Sequence, residues 1–275
     1  MSNLAILIPN FNGEKFIAKT VSSFLRGFPE SKILVVDDKS TDSSLSILRT
    51  TSVEIIVREK NGGFACAVNT GLQQLLNAGF THVLVTNSDV MVEDVDCLEI
   101  WNQFLRISKE KNIGVLGFVE AGLRRIPQGD EISGFFFILS ADVVRSIGYF
   151  DESFYMYGEE QDYFYRVLQS NFRIEQSGIE IPHRSEGSSS SKLKNSWYAI
   201  RNSLYLQAKH AKPLKFALTA ISLFLTINRI KWNADRTDPS YRRVTRPGII
   251  IGNCLLMLAV MLGLYKLTIR RFRGG

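Results

Sequence analysis

Residues 33–42 read ILVVDDKSTD: four apolar, β-favouring residues, then a turn dense in carboxylates and hydroxyls. The same arrangement recurs on either side. Upstream, Leu4–Ile8 is an apolar run that meets Pro9 and then Asn10–Asn12. Downstream, Val53–Val57 leads to Asn61-Gly62-Gly63, and Val83–Thr86 leads to Asn87-Ser88-Asp89. Short bounded runs of this kind predict strands buried on both faces. Helical spacing fills the gaps. Glu14–Arg26 places Phe16, Ile17, Val21, Phe24 and Leu25 on one side and stops at Gly27; Phe64–Asn77 does the same with Val68, Leu72, Leu75 and Leu76. A helix over 94–108 and a strand over 113–118 continue the alternation. That order predicts an α/β fold, a mainly parallel sheet with helices on both faces. In such a sheet, ligands bind beyond the carboxyl ends of the strands. The four polar clusters all follow strands, so they are expected to converge on one cleft.

After residue 120 the pattern changes. Ile132–Leu139 predicts a strand beginning at Ser133-Gly134, and a helix is expected near 141–147. The aromatic and acidic stretch Tyr149–Tyr165 reads as loop then helix. A short strand over Ile179–Pro182 precedes His183, a Ser/Gly loop spans Glu186–Ser191, and a helix starts near Leu193.

The formal net charge of +6 is unevenly distributed. Residues 1–206 hold 20 Lys and Arg against 25 Asp and Glu, a net of −5, whereas 207–275 hold 13 against 2, a net of +11. In that tail the basic residues flank two uncharged apolar segments, Phe216–Asn228 and Gly248–Tyr265. This suits an anionic lipid surface rather than nucleic acid, which would require a folded basic module. Gly248–Tyr265 would be about 27 Å long as a helix, short of a comfortable span, and positive charge on both flanks disfavours crossing. Interfacial or re-entrant helices are therefore expected. A hairpin buried on the catalytic domain, or on a second subunit of a homo-oligomer, is the competing reading. Cys66, Cys97 and Cys254 have no disulfide or zinc spacing. The N-terminus shows no basic segment before an apolar one, so catalysis is expected in the cytoplasm.

Five ordered pieces, PNFNGEKF, VVDDKSTD, NGGFACAVNTGL, TNSDV and FDESFYMYGEEQDYFYR followed by His183, resemble family 2 glycosyltransferases, in particular the bacterial rhamnosyltransferase-like subgroup. The resemblance covers roughly residues 3–205. It implies a GT-A fold: a catalytic domain over 1–206, with a nucleotide-sugar-binding half (1–120) and an acceptor-binding half (121–206), and a membrane-associating tail over 207–275. It implies inverting transfer of a sugar, such as rhamnose, from a dTDP- or UDP-linked donor to a lipid-linked glycan acceptor in cell-surface polysaccharide synthesis. The enzyme would sit on the cytoplasmic face of the inner or plasma membrane.

The resemblance also assigns residues. Asp38 would accept the imide N–H of uracil or thymine; a turn or helix-cap role is the ordinary alternative, and Asp42 fits that better. Pro9, Asn10 and Asn12 would line the base and ribose pocket. Asn61 and Gly63 open a helix whose free N–H groups favour anions, and Asn69 would touch the donor. Asn87-Ser88-Asp89 stands where the fold usually has Asp-x-Asp, leaving Asp89 as the ligand for Mg²⁺ or Mn²⁺, with His183 completing the metal or diphosphate site. Within Glu159-Glu160-Gln161-Asp162 the second acid, Glu160, would be the general base, with Glu159 the second choice. Arg201 could reach a phosphate, and the Ser/Gly loop would close over the donor. No Gln-x-x-Arg-Trp motif of processive synthases is present, so single addition is expected. A non-catalytic nucleotide-sugar-binding or scaffold protein of the same fold is the alternative.

Overall fold

The structure is a computed structural model and describes residues 3–110, 112–121, 134–184 and 192–210. Its strands are β1 (Leu4–Asn10), β2 (Lys32–Asp37), β3 (Glu54–Val57), β4 (His82–Thr86), β5 (Ile113–Glu120), β6 (Phe136–Ser140) and β7 (Arg173–Ile181). They form one sheet in the order β3-β2-β1-β4-β6-β5-β7. All pairings are parallel except those of β6, which runs against both β4 and β5. The helices are α1 (Ile17–Gly27), α2 (Ser44–Leu48), α3 (Phe64–Asn77), α4 (Cys97–Ile107), α5 (Ala141–Ile147), α6 (Glu159–Leu168) and α7 (Lys192–His210).

The period of two along β1 divides the core. Leu4, Ile6 and Ile8 pack with Ile17, Val21 and Phe24 of α1 and with Ile100 and Phe104 of α4. Ala5 and Leu7 point the other way, towards Val68, Leu72 and Leu75 of α3 and Tyr163, Phe164 and Val167 of α6. Two covered faces explain why the strands are apolar throughout rather than alternating. Pro9 is tolerated inside β1 because pairing with β4 ends at Leu7–Val85, while pairing with β2 continues through Pro9–Val36.

Several boundaries differ from expectation. Short α2 has no apolar periodicity long enough to announce it. β7 starts six residues before the expected Ile179, because Arg173–Gly178 alternates polar residues on a half-covered edge strand. β6 begins at Phe136, and residues 131–133 ahead of it lie outside the described part. The described residues divide into two units, one holding residues up to Tyr155 and from Glu159 to Arg184, the other holding Met156–Gly158 and α7. The apolar segments 216–228 and 248–265 and the Ser/Gly loop lie outside the described residues. Among those described, no helix is long and apolar enough to cross a membrane.

Two positions test the packing. A Cβ at Gly71 of α3 would come within 2.2 Å of Leu7 Cδ1, so this glycine sets how closely α3 lies on β1. Gly71→Val is expected to lower the unfolding free energy by about 3 kcal/mol in urea denaturation, the upper end for overpacking a core; a loss below roughly 1 kcal/mol would mean that α3 can lift off the sheet. At the opposite end of β4, His82 packs edge-on against Phe104, with ring centroids 5.3 Å apart. Burial lowers its pKa from the ordinary 6.5, against a smaller opposing pull from Asp142. The unfolded chain therefore takes up this proton first. This contribution to stability is complete above pH 6.5 and is lost as pH falls below it. Comparing urea midpoints between pH 7.5 and pH 5.5 should show a smaller acid-side decline in His82→Gln than in the wild type.

Candidate active site

The carboxyl ends of β1 and β2 are tied together by side chains. Asp37 is fully buried; it accepts from Asn10 Nδ2 at 2.8 Å, Ser40 N at 2.9 Å and Ser40 Oγ at 2.7 Å. Ser40 Oγ in turn accepts from Asn12 N at 2.9 Å, and Asn12 Oδ1 accepts from Thr41 N at 2.8 Å. Pro9 is buried in the strand just before these residues. Asn10 and Asn12 are thus brought together at the expected edge. Asn10 is almost wholly buried, and its Oδ1 has no hydrogen-bond partner.

Asp37 is committed to this turn, and its neighbour Asp38 faces the next one. Asp38 Oδ2 accepts from Gly63 N at 2.7 Å and from Gly62 N at 3.1 Å, and its other oxygen pairs with Arg58. Asn61 Oδ1 also accepts from Gly63 N, at 3.1 Å. Gly63 has φ of +84°, and a Cβ there would lie 1.9 Å from Tyr155 O, so only glycine fits at the start of α3. Arg58 was not foreseen; it follows an edge strand and meets Asp38 only in three dimensions.

At β4 the third group assembles. His183 Nε2 lies 3.1 Å from Asp89 Oδ1 and 3.5 Å from Asn87 Nδ2, and His183 Nδ1 lies 3.2 Å from Glu120 Oε1. The Phe135 ring stacks on the imidazole at 4.8 Å, and His183 forms a β-bridge with Val90. Ser88 contributes its carbonyl, which accepts from Thr20 Oγ1 at 2.8 Å. Burial alone would lower the His183 pKa; the Asp89 and Glu120 carboxylates outweigh it, and the net shift is upwards from 6.5.

This donor set fits a divalent cation. The Asp89–His183 contact of 3.1 Å is itself a hydrogen bond, and a carboxylate beside an imidazole is also a ligand pair that suits a divalent ion. A carboxylate on the far imidazole nitrogen is what fixes a ligating histidine's tautomer. Among the described residues no group of three or more acidic, His or Cys side chains could hold an ion. A two-ligand site leaves coordination positions for phosphate oxygens, as Mg²⁺ sites commonly do. Glu120 was also missed by the sequence reading, although it ends β5 as the other clusters end their strands.

The acidic cluster opens α6. Glu159 is 5 % exposed, and its Oε2 has no hydrogen-bond partner. Burial, and then the charge of Glu160, push its pKa well above the usual carboxylate value. Glu159 thus gives up its proton less readily than an exposed carboxylic acid. The Glu160 side chain runs directly over Gly134, where a Cβ would lie 2.3 Å from its Cγ. Asp162 is fully buried and pairs with Arg166 at 3.1 Å; Arg166 also donates to Ile147 O and Tyr149 O.

Two further residues expected to touch the donor have partners within the protein. Asn69 is buried with its amide already engaged: Nδ2 donates to Phe150 O and Glu152 Oε1, and Oδ1 accepts from Phe150 N, each at 2.9 Å. Both amide hydrogens are thus engaged within the protein. Arg201 belongs to the second unit, where it lies over the Tyr198 ring at 5.6 Å. In that unit Asn202 Nδ2 donates to Met156 O and Tyr157 O at 2.6 and 2.7 Å.

A mainly parallel sheet with one reversed strand, and carboxylates and amides gathered at one edge, has the GT-A architecture of sugar-transferring enzymes. The chain belongs to glycosyl transferase family 2, whose model matches residues 5–177. It is 25 % identical over 205 residues to the low-salt glycan biosynthesis hexosyltransferase Agl10 of Haloferax volcanii, covering 65 % of this chain and 66 %, just under two thirds, of that one. It is 30 % identical over 189 residues to the uncharacterised glycosyltransferase R363 of Acanthamoeba polyphaga mimivirus, covering 58 % and 70 %. The mannosyltransferase PcManGT of Pyrobaculum calidifontis, solved with GDP-Man and Mn²⁺, superposes with a TM-score of 0.64 at 13 % identity, covering 96 % of this chain and 87 % of that one. Glucosyl-3-phosphoglycerate synthase of Mycobacterium tuberculosis, solved with Mn²⁺ and UDP, gives 0.59 at 14 % identity, covering 76 % and 79 %. Likenesses this low in identity speak for the fold.

If Asp89 and His183 hold the ion, removing the carboxylate behind the imidazole should weaken it. Glu120→Ala is expected to reduce Mn²⁺ affinity about 10- to 100-fold, read by electron paramagnetic resonance titration of free Mn²⁺. Unchanged affinity would remove Glu120 from the site.

Proposed function

We propose that this glycosyltransferase is inverting and uses Mg²⁺ or Mn²⁺. It moves a hexose, with a deoxyhexose such as rhamnose the leading choice, from a UDP- or dTDP-linked donor. The acceptor is a lipid-linked glycan at the cytoplasmic face of a membrane, reached through the basic, apolar tail 207–275, in cell-surface polysaccharide synthesis. The observation that carries the reading is the Asp89–His183–Glu120 arrangement at the carboxyl edge of the sheet.

Asp38 and Arg58 support a uracil or thymine base. The carboxylate suits the imide N–H, and the guanidinium beside it suits a flanking carbonyl. Pro9, Asn10 and Asn12 border the base and ribose, and the Asn61–Gly63 turn borders the phosphates. Asp89 and His183 would hold the metal, with Asn87 and Ser88 alongside. Bound there, the ion offsets charge developing on the diphosphate leaving group. Glu160 accepts the proton of the acceptor hydroxyl; that oxygen forms the new bond to the anomeric carbon as the bond to the diphosphate breaks, and configuration inverts. Burial and the charge of Glu160 both make Glu159 harder to ionise.

Purified protein, given Mg²⁺ or Mn²⁺, UDP-, dTDP- and GDP-sugars and a membrane lipid extract, should release nucleoside diphosphate from one donor. Asp89→Ala and Glu160→Gln should each lower that rate by about 100-fold or more. Equal release by wild type and Glu160→Gln, with an acceptor being consumed, would sink the base assignment. Release undiminished by chelator would sink the metal.

A further inference from the structure

We propose that Asn69 is a positioning residue for the catalytic segment: it staples residues 149–155, and through them the start of α6, onto α3. The proposal rests on the reading of Glu160 as the base.

The segment between α5 and α6 has no regular structure to hold it, yet it leads directly into the helix that carries Glu160. Its fastenings come from other elements. Arg166 Nη2 donates to Tyr149 O at 2.8 Å. Asn69 forms a closed two-bond ring with the Phe150 backbone and extends a third bond to Glu152 Oε1. Phe64 N donates to Tyr155 O at 3.3 Å, where Gly63 lets the two backbones approach. Phe150 also stacks on Tyr163 of α6 at 4.1 Å, so a fixed Phe150 fixes the helix behind it.

Two of these fastenings belong to α3, the helix whose opening glycines donate to Asp38. One rigid body therefore carries the bonds to Asp38 at its start and grips the catalytic segment less than two turns later. Any ligand held at Asp38 is thereby indexed to Glu160. Asn69 is the buried side chain of α3 that meets both the N–H and the C=O of Phe150. No residue of another type offers a donor pair and an acceptor in that space. Aspartate would lose both donors and face the Glu152 carboxylate.

Loss of positioning and loss of binding separate experimentally. Asn69→Ala, Asn69→Asp and the double variant Asn69→Asp/Glu152→Gln would be compared for kcat, KM and calorimetric affinity for UDP and dTDP, with thermal melts to confirm folding. Expected is a fall in kcat of at least tenfold in both single variants, with nucleotide affinity within twofold of wild type. The double variant should recover kcat at least threefold over Asn69→Asp, because the glutamine amide can donate to the new carboxylate. Nucleotide affinity falling in step with kcat would mean that Asn69 serves the donor, and would overturn the proposal. So would unchanged kcat in a folded Asn69→Ala protein, or no recovery in the double variant. Glu160→Gln is assayed beside them: turnover surviving in that variant removes the base assignment, whereas the Asn69 series judges the staple.

Discussion

The hydrogen bond from Asn10 Nδ2 to Asp37 Oδ2, 2.8 Å long and shut off from water, is the constraint on which the ligand-facing edge depends. Parallel strands end with backbone groups that the sheet no longer satisfies, and a charge buried at such an end is tolerable only when donors surround it. Asn10 and Ser40 supply them. The same network holds Asn12 at φ +50° and leaves Lys39 at φ +67°, left-handed conformations that cost non-glycine residues about 1–3 kcal/mol each. These turns follow two adjacent strands, and Asp38, between β2 and its turn, meets the backbone N–H groups of Gly62 and Gly63.

The other end of the edge is built differently. β6 is inserted in reverse between β4 and β5, so its beginning, not its end, lies beside Asp89. That brings Phe135 under the His183 ring and Gly134 under Glu160. β5 and β7 run parallel, with Glu120 opposite Ile181 and His183 two residues further on. A carboxylate and an imidazole from adjacent strands therefore meet without either leaving its strand's natural course. Burial weakens the imidazolium, and the two carboxylates restore it.

The sequence made the layered sheet legible because burial on both faces leaves a plain signature: apolar runs that end in polar clusters. Helices α3 and α5 have the expected bounds to the residue, since each is long or sharply capped enough to declare itself. Helix α2 and the first half of β7 were invisible, one too short for periodicity and the other too polar. Within the site, Asp37 and Asp38 were told apart only through the family resemblance, and Arg58 and Glu120 were not found: each matters through a partner 20 or 63 positions away. The grip of Asn69 on a segment 81 residues downstream was hidden for the same reason: only tertiary structure brings the two together.

The pairing of Asp89 with His183 spans 94 positions, and this separation acts before the molecule is finished. A ribosome adding about 5–20 residues per second takes roughly 5–20 s to make the chain between them. Through that interval β1, β2 and β3 and the turns beyond them are available to pair, whereas the histidine has yet to be synthesised. A nascent chain thus carries every residue around Asp38 before it carries His183, and molecules truncated by stalled translation in that interval lack the histidine.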